Sequence, residues 1–384
     1  MGHLLLTGAT GLLGRYLMRD LLTAGVPLAV LVRRSRRKSP ASRIEAAMRC
    51  WEQLEGRSFE RPVVLEGDIT QPDFGLTPDQ TKWAAENVDS MLHNAASLSF
   101  VSTGRHAEPW KSNVDGTKNV LDFCAQANVK TFFQVSTAYV CGKRGGVIYE
   151  NELRKGQEFA NPYEESKVEA EELVQQAKFL ESVTVFRPAI ILGDSQTGNT
   201  FTYHNYYVML ELAHKLTQQM GEMDFTGRNR AEFIRFDADG RWRKNFVPVE
   251  WVSAVMAHVI TDPELHGETY HLTPRVSCQL RLMRDVIEQV NHLYGIDFGK
   301  PDPTNADGAL PLELFHQHAE VYASYWRDDP VFDSTNTQRA APHLPCPHVD
   351  RDMLVRLSEI AIENRFGWKD PVVEERPAAA AAVK

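Results

Sequence analysis

The chain has 384 residues, 43% hydrophobic and 24% charged, with a net charge of −9. That length can bury a large core, and the acidic balance excludes a general nucleic-acid binder, which needs clustered cations to meet phosphates. No apolar run reaches the length of a membrane-crossing helix.

Cys50, Cys124, Cys141, Cys278 and Cys346 are scattered without a Cys-x-x-Cys pair. They read as reduced thiols of a cytoplasmic protein, not as a disulfide frame or zinc site. His316, His318, His343 and His348 lack cysteine or carboxylate partners at metal spacing, so no metal site is expected. An apolar run begins at residue 3, which leaves no room for a signal or transit peptide.

The run at 3–7 leads into Gly8-x-x-Gly11-x-x-Gly14 and then an amphipathic stretch at 12–24. Strand, tight turn and helix in that order bring backbone N–H groups and a helix N-terminus to one place, where a dinucleotide pyrophosphate binds. Gly8 and Gly11 permit the turn and the close approach of phosphate, and Gly14 permits close packing of helix on strand. Gly8, Thr10, Gly11, Leu12, Leu13 and Gly14 are therefore candidate cofactor residues. Further strands are expected at 28–33, 62–66, 89–93, 131–136 and 183–187, and helices at 42–55, 78–86, 111–127 and 161–178. The alternation predicts an α/β fold, a doubly wound parallel sheet of Rossmann type.

The second strand bears on the cofactor. An NAD site places an acid about 20 residues past the glycine turn, on the ribose 2′-hydroxyl. Here that count from Gly14 falls on Arg34, beside Arg33, in the basic run Arg33-Arg34-Ser35-Arg36-Arg37-Lys38. Guanidinium forks suit a 2′-phosphate, so NADPH is expected; the bland alternative is a solvated basic turn.

Tyr163 and Lys167 stand at i, i+4 at the start of an expected helix, after Asn161-Pro162. That spacing sets both side chains on one face. A phenol is a poor proton shuttle at neutral pH, and a neighbouring ammonium is expected to lower its pKa. Thr137, at the end of the fifth strand, supplies a hydroxyl to orient a substrate oxygen. Strand alternation turns Ser136 away from Thr137, and it reads as structural.

Beyond Gly193 the pattern changes. Residues 194–244 and 273–370 read as a smaller, mostly helical substrate-binding cap, with helices near 203–219, 277–293, 311–326 and 350–365. Strand-like runs at 245–249 and 269–272, with a helix near 251–260 between them, return to the main sheet of the 1–193 domain. Residues 371–384 read as a disordered tail. Phe201, Tyr203, Tyr206 and Tyr207 line an apolar pocket or, on the plainer reading, belong to the core.

Taken together, Gly8-x-x-Gly11-x-x-Gly14, His93-Asn94-Ala95-Ala96, Asn113-Val114-Asp115-Gly116-Thr117, Val135-Ser136-Thr137-Ala138-Tyr139-Val140, Tyr163-Glu164-Glu165-Ser166-Lys167 and Arg187-Pro188-Ala189 resemble the extended short-chain dehydrogenases/reductases. The resemblance implies catalysis by Thr137, Tyr163 and Lys167, with Lys167 also on the nicotinamide ribose. It implies that Asp68 and Ile69 flank the adenine, that Asn94, Ala95 and Ala96 line the cofactor site, and that Pro188 lies beside the nicotinamide. Asn113 matches a helix-bending asparagine, or is a buried polar group bonded to backbone.

Leu31-Val32-Arg33-Arg34, Arg43-Ile44, Val64-Leu65-Glu66-Gly67-Asp68-Ile69-Thr70 and Asn161-Pro162-Tyr163 are similar to the thioester reductase and fatty acyl-CoA reductase branch. That implies NADPH-dependent reduction of an acyl thioester, on coenzyme A or an acyl carrier protein, to an aldehyde or alcohol. Alternatives within the fold are reduction of a ketone, imine or quinone-like carbonyl of a specialised metabolite, and a non-catalytic NADP(H) sensor. A nucleotide-sugar epimerase or dehydratase fits the arginines less well.

Overall fold

The computed structural model describes residues 2–200, 203–220, 229–230, 235–299 and 327–367. The helix expected at 311–326, Phe201 and the tail at 371–384 lie outside the described residues.

Seven short apolar runs form one sheet: β1 (His3–Thr7), β2 (Leu28–Val32), β3 (Val63–Glu66), β4 (Val88–His93), β5 (Thr131–Val135), β6 (Ser182–Pro188) and β7 (Thr269–Leu272). Their order is β7-β6-β5-β4-β1-β2-β3, and every pairing is parallel. Parallel strands need crossovers, and helices supply them on both faces. α1 (Leu12–Thr23), α2 (Pro40–Glu55) and α7 (Val249–Thr261) bury Leu17, Met48 and Val255 against one face. On the other, α3 (Pro78–Asn87), α4 (Gly116–Gln126) and α5 (Pro162–Gln176) bury Ala84, Val120 and Val174. The chain order reverses between β1 and β4, so their carboxyl ends diverge into a crevice.

A separate core gathers α6 (Tyr206–Met220), α8 (Leu280–Asn291) and α10 (Arg351–Glu363) around Leu210, Val286 and Leu357. Tyr206 and Tyr207 are buried in it, as the plainer reading of the aromatic run expects. The short helix α9 (Thr335–Ala340) packs beside β7.

Two local expectations change. Residues 246–248 do not join the main sheet; they pair in parallel with 190–192, just past the end of β6. Ala189, between the two runs, donates its N–H to Leu272 O (3.0 Å), and the pair beyond it forms its own two-stranded ladder. The helix expected from residue 111 starts with a π-turn, Lys111–Asp115, before α4 continues it. Such turns widen a helix by one residue and recur at functional sites.

Gly14 sits inside α1 with no room for a side chain, since a Cβ there would lie 2.1 Å from Gly8 O. Gly14→Ala must push helix and turn apart, at a cost of about 1–3 kcal/mol. Urea unfolding measures it: the midpoint is expected to fall, and an unchanged midpoint would contradict the packing described.

Candidate active site

The crevice is a cleft of about 1200 Å³ above the carboxyl ends of the strands. Its floor is pinned by a buried chain of side chains at the point where β1 and β4 part. The Thr117 hydroxyl donates to Asn113 O (2.6 Å), and so must accept from His93 Nε2 (3.2 Å). His93 Nδ1 is then bare and takes the Thr7 hydroxyl proton (2.9 Å). The Thr7 oxygen in turn accepts from the Asn94 and Ala95 N–H groups (3.1 and 3.0 Å). Burial holds His93 down at about 3, with the Lys167 charge adding to the effect, so the ring is neutral. Gly8, at φ +72°, passes so close to this corner that a Cβ would lie 2.8 Å from Ala95 N.

Asn161 caps α5 by accepting from Glu164 N (3.0 Å), and Pro162 opens the helix. Tyr163 and Lys167 therefore emerge from its first turns into the cleft, where Thr137 meets them from the end of β5. Lys167 Nζ donates to Val135 O (2.7 Å). Burial lowers Lys167 to about 8 and pushes Tyr163 up to about 12, against the hydrogen bond with Thr137. This corrects the expectation that Lys167 lowers the phenol. The ammonium is held by the Val135 carbonyl, and desolvation outweighs any attraction it exerts on Tyr163.

Two further networks brace this corner. Asn113 Oδ1 accepts from Ser97 N (2.7 Å), while its Nδ2 donates to Ser97 O (3.0 Å) and Ser166 Oγ (2.9 Å). It ties the loop after β4 to α5. On the other side, Tyr139 donates to Asp329 Oδ2 (2.6 Å), and Lys244 Nζ to Asp329 Oδ1 (2.6 Å). Arg327 reaches Glu164 Oε1 (3.3 Å), next to Tyr163 in sequence.

At the far end, Arg34 pairs with Glu66 (2.7 Å) and Arg33 approaches Asp68 (3.8 Å). Arg43, a cue to the branch in the sequence but not expected in the site, reaches back from α2 to donate to Arg33 O and Thr10 Oγ1, each at 2.8 Å.

Gly8, Thr10, Gly11, Leu12, Leu13, Arg33, Arg34, Asp68, Ile69, Asn94, Ala95, Ala96, Thr137, Tyr163, Lys167 and Pro188 all line the one cleft. Gly14 and Asn113 do not; the first is a packing residue and the second a strut. Not expected as site residues were Thr7, Arg43 and Tyr139, whose roles rest on contacts distant in sequence. The cleft suits a dinucleotide: the turn at Gly8 leaves a cradle that a Cβ would fill, arginines gather at one end, and the Ser136 hydroxyl on its wall is buried without a partner among the described residues. Also among the described residues, no group of three or more His, Cys, Asp or Glu comes together to hold a metal, and no helix is long and apolar enough to cross a membrane.

The NAD-binding family described as male sterility protein matches residues 6–256. A linear gramicidin synthase subunit of Brevibacillus parabrevis is 31% identical over 50% of this chain, and the isonitrile lipopeptide synthase of Mycobacterium tuberculosis 30% identical over 70%. The chain spans only 4% and 11% of their lengths. Among solved structures, the terminal R domain from the myxalamid PKS-NRPS biosynthetic pathway superposes with a TM-score of 0.74 at 24% identity, covering 95% of this chain and 92% of that one. At that identity the likeness speaks for the fold, an extended Rossmann-type arrangement.

Arg187 is wholly buried at the end of β6, bonded to Glu171 (2.5 and 3.2 Å), to Glu152 O (2.7 Å) and to Glu150 O (3.1 Å). Glu171→Ala leaves that guanidinium unpaired and is expected to cost about 3–5 kcal/mol in chemical denaturation. Arg187→Met with Glu171→Leu is expected to recover much of the loss; equal losses in both variants would contradict the pairing.

Proposed function

The chain belongs to the NAD-binding family described as male sterility protein, and from that premise we propose that it is an NADPH-dependent reductase acting on acyl thioesters. The thioester is carried on coenzyme A or on a carrier protein, and the product is an aldehyde or, after a second reduction, an alcohol. The observation that carries this reading is the meeting of Thr137, Tyr163 and Lys167 in the same cleft as the glycine turn. The names of the relatives, peptide synthases and a biosynthetic R domain, support a thioester over a free ketone. Residues 1–193 with 269–272 form the cofactor-binding part on this reading, and the segments around α6, α8 and α10 shape the substrate end.

The reduced dinucleotide, when bound, supplies a hydride to the carbonyl carbon. Backbone groups of the turn at Gly8 and Gly11, with the N-terminus of α1, hold its pyrophosphate. Lys167 holds the ribose hydroxyls with donors beyond the one given to Val135 O. Arg33, Arg34 and Arg43 take the 2′-phosphate. The Arg34–Glu66 pair is exposed on both sides and worth about 0–1 kcal/mol, so a dianionic phosphate displaces Glu66 at little cost.

At the reacting end, the hydroxyls of Thr137 and Tyr163 hold the carbonyl oxygen as it gains charge. Tyr163, kept up at about 12 by burial, stays protonated at neutral pH and gives its proton to the alkoxide. Lys167 steadies the phenolate left behind. The resulting hemithioacetal returns its hydroxyl proton to Tyr163 as the C–S bond breaks. Aldehyde remains and thiolate leaves, to be protonated by water.

Tyr163→Phe is expected to lower NADPH oxidation with acyl-CoA esters at least about 100-fold, with NADPH affinity little changed. Wild-type turnover in that variant would sink the mechanism. Arg33→Ala combined with Arg34→Ala removes charged donors worth about 1.5–3 kcal/mol each. It is expected to raise KM for NADPH about tenfold or more while leaving that for NADH in place; an unmoved preference would refute the phosphate site.

A further inference from the structure

One wall of the cleft is unused by this chemistry. Leu98, Ser99, Phe100 and Val101 line it from the loop after β4. Leu98 is 50% exposed and Val101 64%, two large apolar side chains within one short loop that lines the cleft. The loop is fixed at its base, because the Asn113 amide bonds both Ser97 N (2.7 Å) and Ser97 O (3.0 Å) and also Ser166 on the helix of Tyr163. Phe100 packs edge-on against Tyr163, ring centroids 5.9 Å apart. The apolar wall therefore begins beside the phenol that meets the carbonyl oxygen.

Ile190, Ile191 and Tyr207 line the same cleft, with Asn205 and His204, whose imidazole burial holds below its usual value. Of the charged side chains lining the cleft, all but Lys167 (Arg33, Arg34, Arg43, Glu66 and Asp68) gather at the ends of β2 and β3.

We propose that residues 98–101 are the acyl-binding wall and that the substrate is a thioester with an uncharged, apolar acyl chain. This rests on the thioester reading above. A chain leaving a carbonyl held by Thr137 and Tyr163 passes Phe100 first and covers Leu98 and Val101 as it lengthens. Each methylene laid on the wall contributes its transfer free energy, which corresponds to about fourfold in affinity when burial is complete.

The test uses acyl-pantetheine thioesters from acetyl to decanoyl, with their non-reducible amide analogues alongside. For the wild type, kcat/KM for the thioesters and calorimetric affinity for the amides are both expected to rise with chain length, by up to about fourfold per methylene. Leu98→Ser with Val101→Ser is expected to flatten both slopes, NADPH fluorescence reporting that the variant is folded. A flat wild-type series, or an unchanged slope in the variant, overturns the acyl wall and leaves the reductase reading standing. Amides that bind with the expected slope beside thioesters that are never reduced support the wall and overturn the thioester reading. Amides that do not bind at any length overturn the wall outright.

Discussion

The hydroxyl of Thr7 is the point on which the site depends. It sits at the last residue of β1, where the sheet's order reverses, and is fully buried. Its proton goes to His93 and its lone pairs take the N–H groups of Asn94 and Ala95. These bonds hold the start of the loop after β4 against the glycine turn, and Asn94 Nδ2 adds a bond to Gly8 O (3.2 Å). A buried polar group without a partner costs roughly 1–3 kcal/mol, so the chain Asn113–Thr117–His93–Thr7 is satisfied only in one proton arrangement. That arrangement fixes a neutral histidine beneath the site. It leaves Lys167 as the cationic group at the reacting end.

The cleft is divided electrically as a result. Guanidinium groups and their carboxylate partners occupy the end where β2 and β3 finish. The other end pairs a buried ammonium with a half-buried phenol, and Lys167 is its one Asp, Glu, Lys or Arg among the described residues. Burial acts in opposite directions on the two: it weakens the hold of Lys167 on its proton and strengthens that of Tyr163. In the proposed reaction both effects serve reduction, since a phenol that keeps its proton is a donor to an alkoxide rather than a base. Asn113 braces the helix of Tyr163 through Ser166, and Asp329 holds Tyr139, two residues past Thr137, each from a segment far away in the chain.

Much of this was legible in the sequence because it is local. The strand–turn–helix at Gly8, the i, i+4 spacing of Tyr163 and Lys167 and the apolar alternation through β6 depend on neighbours a few residues away, and the sheet forms as the alternation requires. What was not legible depends on distance in sequence. Arg43 is legible as a cue to the branch, but its place in the site follows only from α2, which points its guanidinium back at Thr10. Residues 246–248 read as a strand of the main sheet, yet pair with 190–192, since a period-two pattern gives a strand but not its neighbour. The electrostatics of Tyr163 failed for the same reason: spacing brings Lys167 to its face, but only the fold reveals that Val135 O holds the ammonium and that desolvation prevails.

The central claim is hydride delivery to a thioester carbonyl, and isotope transfer tests it most directly. NADPH deuterated at the transferable position would be incubated with octanoyl-pantetheine, and thiol release and product mass followed together. The account predicts deuterium on the former carbonyl carbon of octanal or octanol, with free thiol appearing in step. An untouched thioester, with no thiol released and no deuterium in octanal or octanol while a ketone offered in parallel is reduced, would contradict it.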